Sequence, residues 1–338
     1  MPRIAINGLG RIGRATLKIV LDTPDLDVVA VNDIAPIDNI AYLIKFDTVY
    51  GRYPHAVDHT DDALLIGETH IPYYSERNPA DLPWDELDVD LVFECTGLFT
   101  KQEEAGKHIE AGADWVIISA PTKSEDMPTV VHGVNRPDGG QNIISCASCT
   151  TNSISPVIEI IGRRIGIKKA MMTTIHGYTA SQGIVDGPSK KVRRGRAAAA
   201  NLVPTSTGAA IATTKTMPEY KGKFDGVAVR VPVPVGSISD VTILTERPTS
   251  VEEINQILAE EAATERYDDV LQVSDDELVS SDIIMLPYAA IIDSLMTQVV
   301  DGDLVKIMAW YDNEWGYTSQ MVREALTALG LREQPVPA

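Results

Sequence analysis

The sequence predicts two domains of different class: an α/β half built on a parallel sheet, followed by an α+β half whose sheet is mostly antiparallel. Three observations carry this. Short, continuous Val/Ile/Leu runs alternate with helical patterns through the first half, as in βαβ units covered on both faces. Longer strands with apolar/polar alternation dominate the second half. The length of 338 residues is ample for two cores.

In the first half, residues 3–6, 28–31, 91–94, 115–119 and 142–145 read as strands, and 11–21 and 102–111 as helices between them. In the second, 170–175, 226–233, 241–246 and 305–310 read as strands and 250–265 as a capped amphipathic helix. Residues 318–329 form a periodic helix stopped by Gly330. The expected division is residues 1–148, with a C-terminal helix over 315–338 returning to them, and residues 149–314. No internal repeat or low-complexity tract is present.

Apolar residues make up 44% of the chain, which suits a globular protein and excludes wholesale disorder. No apolar run reaches bilayer length, and the N-terminus leads into a strand without a signal-peptide layout. Three cysteines (Cys95, Cys146, Cys149) make no disulfide framework. A cytoplasmic protein is the expectation. Against 48 acidic residues stand 29 basic ones, a formal net charge of −19. Such a surface repels nucleic acid and anionic lipid, so neither nucleic acid nor membrane is expected as a main partner. It also repels itself, which points to a salt-adapted source. Lys190, Lys191, Arg193, Arg194 and Arg196 crowd into one loop, either a solvated or interface loop or the entry for an anionic ligand.

Gly8-Leu9-Gly10-Arg11-Ile12-Gly13 follows the first strand and opens the first helix. Gly8 permits a tight turn, Gly10 lets backbone approach a pyrophosphate, and Gly13 lets helix pack on strand, with helix N–H groups facing the phosphates. Asp33 ends the next strand, where it serves either as a turn residue or as acceptor for an adenosine ribose. In the second role it repels a 2′-phosphate and favours NAD over NADP.

Cys149 stands where a helix begins: residues 141–145 read as a strand, and Ile154, Val157, Ile158, Ile160 and Ile161 recur at near-helical spacing, with Pro156 expected in the first turns. Unpaired N–H groups and the helix dipole favour thiolate there, hence a covalent nucleophile. A buried structural cysteine is the competing reading. His176 ends an apolar strand and supplies the base such a thiol needs. His132 also ends an apolar run with no nucleophile motif near it, and His55, His59, His70 and His108 show no chemistry. Thr205-Ser206-Thr207-Gly208 offers hydroxyls and a backbone N–H to phosphate. Arg230 is a charge inside an apolar strand and calls for a structural ion pair or a bound anion.

With these residues in view, the chain resembles phosphorylating glyceraldehyde-3-phosphate dehydrogenase of the bacterial and eukaryotic type, nearly end to end. The resemblance rests on Ile6 to Arg14, Glu94-Cys95-Thr96-Gly97, Ile118-Ser119-Ala120-Pro121, Ala147-Ser148-Cys149-Thr150-Thr151-Asn152, His176-Gly177-Tyr178-Thr179, Gly195-Arg196-Ala197-Ala198-Ala199 and Trp310 to Tyr317. It implies a Rossmann NAD-binding domain and a catalytic domain. It implies thiohemiacetal and thioester formation at Cys149 with His176 as base, and attack by inorganic phosphate in glycolysis and gluconeogenesis. Gly8, Gly10, Arg11, Ile12, Gly13, Asp33, Arg77, Thr96, Gly97, Ser119 and Asn313 fall to the cofactor, NAD, with NADP as the alternative given the nearby arginines and lysines. Thr179 and Arg230 fall to the phosphate of glyceraldehyde 3-phosphate, and Ser148, Thr150, Thr207, Gly208 and Arg194 to inorganic phosphate and substrate. The basic loop becomes one that lies between subunits of a homotetramer. No metal is expected. Cys146, Ser153, Ser181, Ile211 and residues 233–236 depart from the family's usual pattern, which has Asn, Cys, an acid and Lys at the first four. Three readings compete: a thiol–disulfide protein or redox switch using Cys146-Ala147-Ser148-Cys149, an erythrose-4-phosphate dehydrogenase that releases its thioester to water, and a binding protein that keeps only the cofactor fold.

The charge excess makes one prediction. Thermal unfolding followed across salt concentration is expected to give a lower Tm at low ionic strength; full stability without salt would remove the salt-adapted reading.

Overall fold

The computed structural model describes residues 1–136 and 139–333, which form two compact units. One takes in Met1–Val130, residues 139–147 and Met321–Glu333; the other takes in Val131–Arg136 and Ser148–Gln320.

The first unit runs β1 (Arg3–Asn7), α1 (Arg11–Leu21), β2 (Asp27–Asn32) and α2 (Ile37–Lys45), then a short hairpin of β3 (Phe46–Asp47) and β4 (Gly51–Arg52). β5 (Val57–His59), β6 (Ala63–Ile66), β7 (Thr69–Tyr74), β8 (Leu91–Glu94), α3 (Gln102–Glu110), β9 (Trp115–Ile118) and β10 (Ile143–Ser145) complete it. Its eight-stranded sheet has the order β10-β9-β8-β1-β2-β7-β6-β5. Pairing is parallel from β10 to β7 and antiparallel over β7, β6 and β5. The central strands β1 and β8 are almost wholly buried, which is why they read as unbroken apolar runs rather than alternations.

The second unit begins with α4 (Cys149–Arg164) and β11 (Ile167–Gly177), followed by β12 (Val203–Ser206), α5 (Ala209–Thr216), β13 (Phe224–Val231) and β14 (Ser237–Thr245). α6 (Val251–Ala262), β15 (Leu271–Ser274), β16 (Ala290–Asp293), β17 (Gln298–Val300) and β18 (Leu304–Tyr311) follow, and α7 (Trp315–Ala328) starts in this unit and from Met321 belongs to the first. The sheet order is β12-β13-β11-β14-β18-β16-β15, with β17 also on β18. Pairing is antiparallel except for β11 with β13 and β15 with β16. The alternation expected of one-faced strands is explicit in β14, whose burial switches at nearly every residue from Val241 onward.

α4 carries the cysteine at its first position, and its other end is tied to α6. Glu159 accepts from Arg163, Arg266 and the Tyr267 hydroxyl, and Glu261 accepts from Arg163 and Arg164. In a chain so short of cations, these arginines are spent on partly buried carboxylates. Charge-assisted, forked bonds of this kind fix geometry better than isolated surface pairs do. Pro156 stands mid-helix rather than in the first turn; the helix continues through it, packed on both sides by Ile154, Val157, Ile158 and Ile160, all buried. The C-terminal helix ends at Ala328, short of the expected 338, and residues 334–338 of that expectation lie outside the described residues.

The glycine turn after β1 is the tightest element. Gly8 has φ +92°, and a Cβ there would stand 2.8 Å from the Thr96 nitrogen. A Cβ on Gly13 would come within 1.8 Å of the Gly8 carbonyl oxygen, a contact that backbone on both sides must yield to relieve. Gly13→Ala is therefore expected to cost about 2–3 kcal/mol or more, read as a lowered urea midpoint at unchanged m-value.

Candidate active site and dinucleotide pocket

Around the glycine turn a cavity of about 320 Å³ is lined by Asn7, Gly8, Gly10, Asn32, Asp33, Ile34, Glu76, Arg77, Cys95, Thr96, Leu98 and Phe99. Each glycine has a distinct job. Gly8 turns the chain, Gly13 lets α1 reach β1, and Gly10, the residue before α1, has open space where its Cβ would be. α1 has no side chain capping its first turn, so that end is shaped for an outside anion. The Asp33 carboxylate accepts from Leu9 N (2.6 Å) and Ala35 N (2.9 Å). This fixes it at the pocket edge and leaves its remaining lone pairs for hydroxyl donors. Thr96 and Gly97 (φ +70°) form the facing turn, and Ser119 hydrogen-bonds the Cys95 thiol. The cradle at Gly8 and Gly10 and the acid at Asp33 fit a dinucleotide.

The Arg11 side chain does not line this pocket. It pairs with Asp47 and lies over the Tyr50 ring at 5.3 Å, so only its main chain stands where the sequence reading put it. Ile12 does not line the pocket either; its carbonyl accepts from Thr16 Oγ1 (2.9 Å) within α1. Asn7, Asn32, Glu76, Leu98 and Phe99 were not singled out from sequence; Asn7 and Asn32 end β1 and β2 next to marked residues, which was the available signal.

In the second unit Ser148 caps α4, its hydroxyl accepting from Thr151 N (3.2 Å). Cys149 is the next residue, and Ala147 before them is held at φ +57°, a left-handed conformation that costs a Cβ-bearing residue of order 1 kcal/mol and clusters at functional sites. β11 delivers His176 so that Nε2 lies 3.4 Å from Cys149 Sγ. β13 runs parallel beside it and pairs Arg230 with His176 in register. Arg230 Nη1 lies 2.6 Å from His176 Nδ1 and donates to Gly177 O at 2.9 Å. Tyr311, which the sequence reading gave no role, sets its ring edge against the imidazole at 5.9 Å, its hydroxyl bonded to Thr150 Oγ1 (2.9 Å) and Thr174 Oγ1 (2.7 Å).

Burial pushes the Cys149 thiol up from its ordinary value; Arg230 and the Thr150 N–H and hydroxyl oppose this without overcoming it. This corrects the expectation of a thiolate stabilised by the helix end. The same burial, with Arg230 beside it, holds His176 down at about 3. Both shifts favour thiol and neutral imidazole over the ion pair. Gly177 O lies 2.6 Å from Nδ1, so one tautomer donates Nδ1–H to that carbonyl and turns the Nε2 lone pair to the thiol; the other accepts from Arg230 at Nδ1.

The remaining predicted residues have hydrogen-bond partners of their own, and the Arg194 charge also acts on His176. Thr179 Oγ1 is bonded to Ser181 Oγ (2.8 Å). Arg194 Nε donates to Thr205 Oγ1 (2.9 Å) and Nη2 to Ser206 O (3.3 Å). Thr207 Oγ1 accepts from Ala209 N (3.1 Å), and Gly208 is the residue before α5. Asn313 Oδ1 accepts from Gly236 N and Ser237 Oγ, each at 3.0 Å, which orients its amide. None of Cys95, Cys146 and Cys149 is joined in a disulfide. No metal-holding cluster of His, Cys, Asp and Glu occurs among the described residues, and no helix there is long and apolar enough to cross a membrane.

A dinucleotide pocket at a glycine turn and a base-paired cysteine at a helix start define an NAD-dependent oxidoreductase that works through a covalent thiol. Two family models match: glyceraldehyde 3-phosphate dehydrogenase, NAD binding domain, over residues 2–102, and its C-terminal domain over residues 148–313. The chain is 47% identical over 324 residues to glyceraldehyde-3-phosphate dehydrogenase 2 of Streptomyces avermitilis (95% of this chain, 96% of that one). It is 48% identical over 337 residues to the enzyme of Mycobacterium tuberculosis (97% and 98%), and 44% over 330 to that of Clostridium pasteurianum (96% and 97%). The chain belongs to the glyceraldehyde-3-phosphate dehydrogenase family.

The low value at His176 has a consequence for folding. The unfolded histidine takes a proton below about pH 6.5 and the folded one does not until about pH 3, so the unfolded state binds more protons and stability falls as pH drops between these values. Urea titrations between pH 7 and 4 are expected to show this loss, and His176→Asn is expected to reduce its slope.

Proposed function

We propose that Cys149 and His176 carry the oxidative phosphorylation of D-glyceraldehyde 3-phosphate to 1,3-bisphosphoglycerate, reversibly, with NAD as oxidant. The observation that carries this is the 3.4 Å contact between Cys149 Sγ and His176 Nε2 with Arg230 on the far ring nitrogen. The thiol sulfur adds to the aldehyde carbon while its proton passes by way of His176 Nε2 to the former carbonyl oxygen, leaving a thiohemiacetal and a neutral imidazole. Bound NAD supplies the hydride acceptor, and loss of hydride leaves a thioester on Cys149. His176 holds the proton from the hemiacetal oxygen. Inorganic phosphate then attacks the thioester, and the C–S bond breaks to return the cysteine.

Arg230 gives this sequence its order. Its Nε is buried with no hydrogen-bond partner, an arrangement that calls for an anion. A substrate phosphate there offsets the guanidinium charge, which is the second influence, after burial, that holds His176 neutral, so the base strengthens as substrate binds. Thr179 joins Arg230 at that phosphate. Ser148, Thr150, Arg194, Thr207 and Gly208 serve inorganic phosphate, Arg194 with Ser206 and Thr205 already braced around it. Asn313, with its oxygen engaged, offers its NH₂ to the nicotinamide amide. The match to the family supports a homotetramer in the cytoplasm, and exposed Met171 and Val227 on β11 and β13 are apolar surface of the kind subunits cover.

Initial rates of NAD and NADP reduction with glyceraldehyde 3-phosphate, with and without phosphate, test the reading. NAD reduction that depends on phosphate is expected, and Cys149→Ser is expected to lose on the order of 10⁴-fold in kcat. Faster, phosphate-independent turnover of erythrose 4-phosphate would overturn it.

A further inference from the structure

Behind the dinucleotide pocket lies a buried polar chain to which neither the sequence nor the mechanism gives a role. Trp84, Glu94 and His108 are 0–1% exposed and do not line the cavity. Trp84 Nε1 donates to His108 Nδ1 at 2.9 Å. An indole N–H can only donate, so Nδ1 is an acceptor and the ring proton sits on Nε2. Nε2 donates to Glu94 Oε2 at 3.2 Å.

A second run of donors arrives at the same carboxylate from the pocket side. Glu76 N donates to Asn32 Oδ1 (2.8 Å), Asn32 Nδ2 to Asn7 Oδ1 (2.7 Å), and Asn7 Nδ2 to Glu94 Oε2 (2.5 Å). The other oxygen, Oε1, accepts from Thr96 N (2.8 Å) and from Thr96 Oγ1. Every donor in both runs ends on Glu94, whose two oxygens face four of them. Asn7, Asn32, Glu76 and Thr96, the residues these runs orient, all line the cavity, and Thr96 N is the atom that a Cβ on Gly8 would strike.

We infer that Glu94 and His108 are positioning residues for NAD. Glu94 sets the orientation of Asn7 and the Thr96 turn, and His108, its tautomer fixed by Trp84, holds Glu94. Neither touches cofactor or the reacting atoms. The inference rests on the dinucleotide reading of this pocket.

The test is direct titration of NAD onto the full-length protein, with steady-state rates in parallel. A glutamine at position 94 necessarily points its NH₂ at one of the two pairs of donors. Glu94→Gln is therefore expected to raise the NAD Kd and KM about tenfold or more while kcat at saturating NAD stays within about twofold. His108→Leu, which removes a donor, is expected to match it. His108→Gln, which keeps an N–H for Glu94, is expected to recover most of the affinity. Alkylation of Cys149 by iodoacetamide without NAD is expected to be unchanged in all three. Equal NAD affinity in the folded variants, or a fall in kcat with KM unchanged, overturns the inference. Should Glu94→Gln fail to fold, the contrast between His108→Leu and His108→Gln decides it, and equal losses in those two sink it. Failure of the unmodified protein to bind NAD would instead sink the reading of the pocket itself.

Discussion

The second unit is organised around one three-membered contact: a thiol, an imidazole and a guanidinium brought together by α4, β11 and β13. Cys149 Sγ and His176 Nε2 are 3.4 Å apart, and Arg230 Nη1 is 2.6 Å from the other ring nitrogen. The parallel pairing of β11 with β13 puts Arg230 directly opposite His176. One residue of slip would turn one of the two side chains to the opposite face. Burial sets the resting charges: it disfavours the Cys149 thiolate more than Arg230 and the Thr150 N–H and hydroxyl restore it, and it disfavours the His176 imidazolium together with the Arg230 charge.

The fold around that contact was legible wherever local chemistry and tertiary context agree. The glycine turn was legible because Gly8 and Gly13 answer steric demands measurable in the structure, and α1 runs over the expected 11–21. The long alternating strands of the second sheet were legible for the same reason: one buried face writes period two into the sequence. The β5–β7 meander, α2 and α5 were missed. β5 and β6 are three and four residues long, too short to show a period, and α5 is an Ala/Thr segment with little amphipathic contrast.

The site divides along the same line. Cys149, His176 and Arg230 could be marked from position, but the charge state of the thiol could not. The helix-end argument names one influence, and the larger one, burial, exists only in three dimensions. Arg11 was marked by motif and its side chain went to Asp47 instead. His108 was dismissed as a helix residue of no interest because nothing local shows that its ring is fully buried between Trp84 and Glu94. Ser181 and Ile211, the departures from the family pattern, are accommodated without disturbing the thiol: Ser181 bonds Thr179 and Ile211 is exposed.

The two polar centres differ in how complete they are, and that difference separates holding a shape from binding a ligand. At Glu94, four donors meet two oxygens and the network is closed; removing any member leaves a buried group without its partner, so the wall it supports has one arrangement. At Arg230 the network is open, with a buried Nε that no described residue satisfies. A closed network inside an apolar core confers rigidity, because every rearrangement loses a bond. An open one keeps part of its bonding capacity in reserve, and an anion that supplies the missing acceptor gains what the folded chain alone forgoes. The open network stands against His176, so an anion there lands beside a ring that burial first, and the Arg230 charge second, hold neutral.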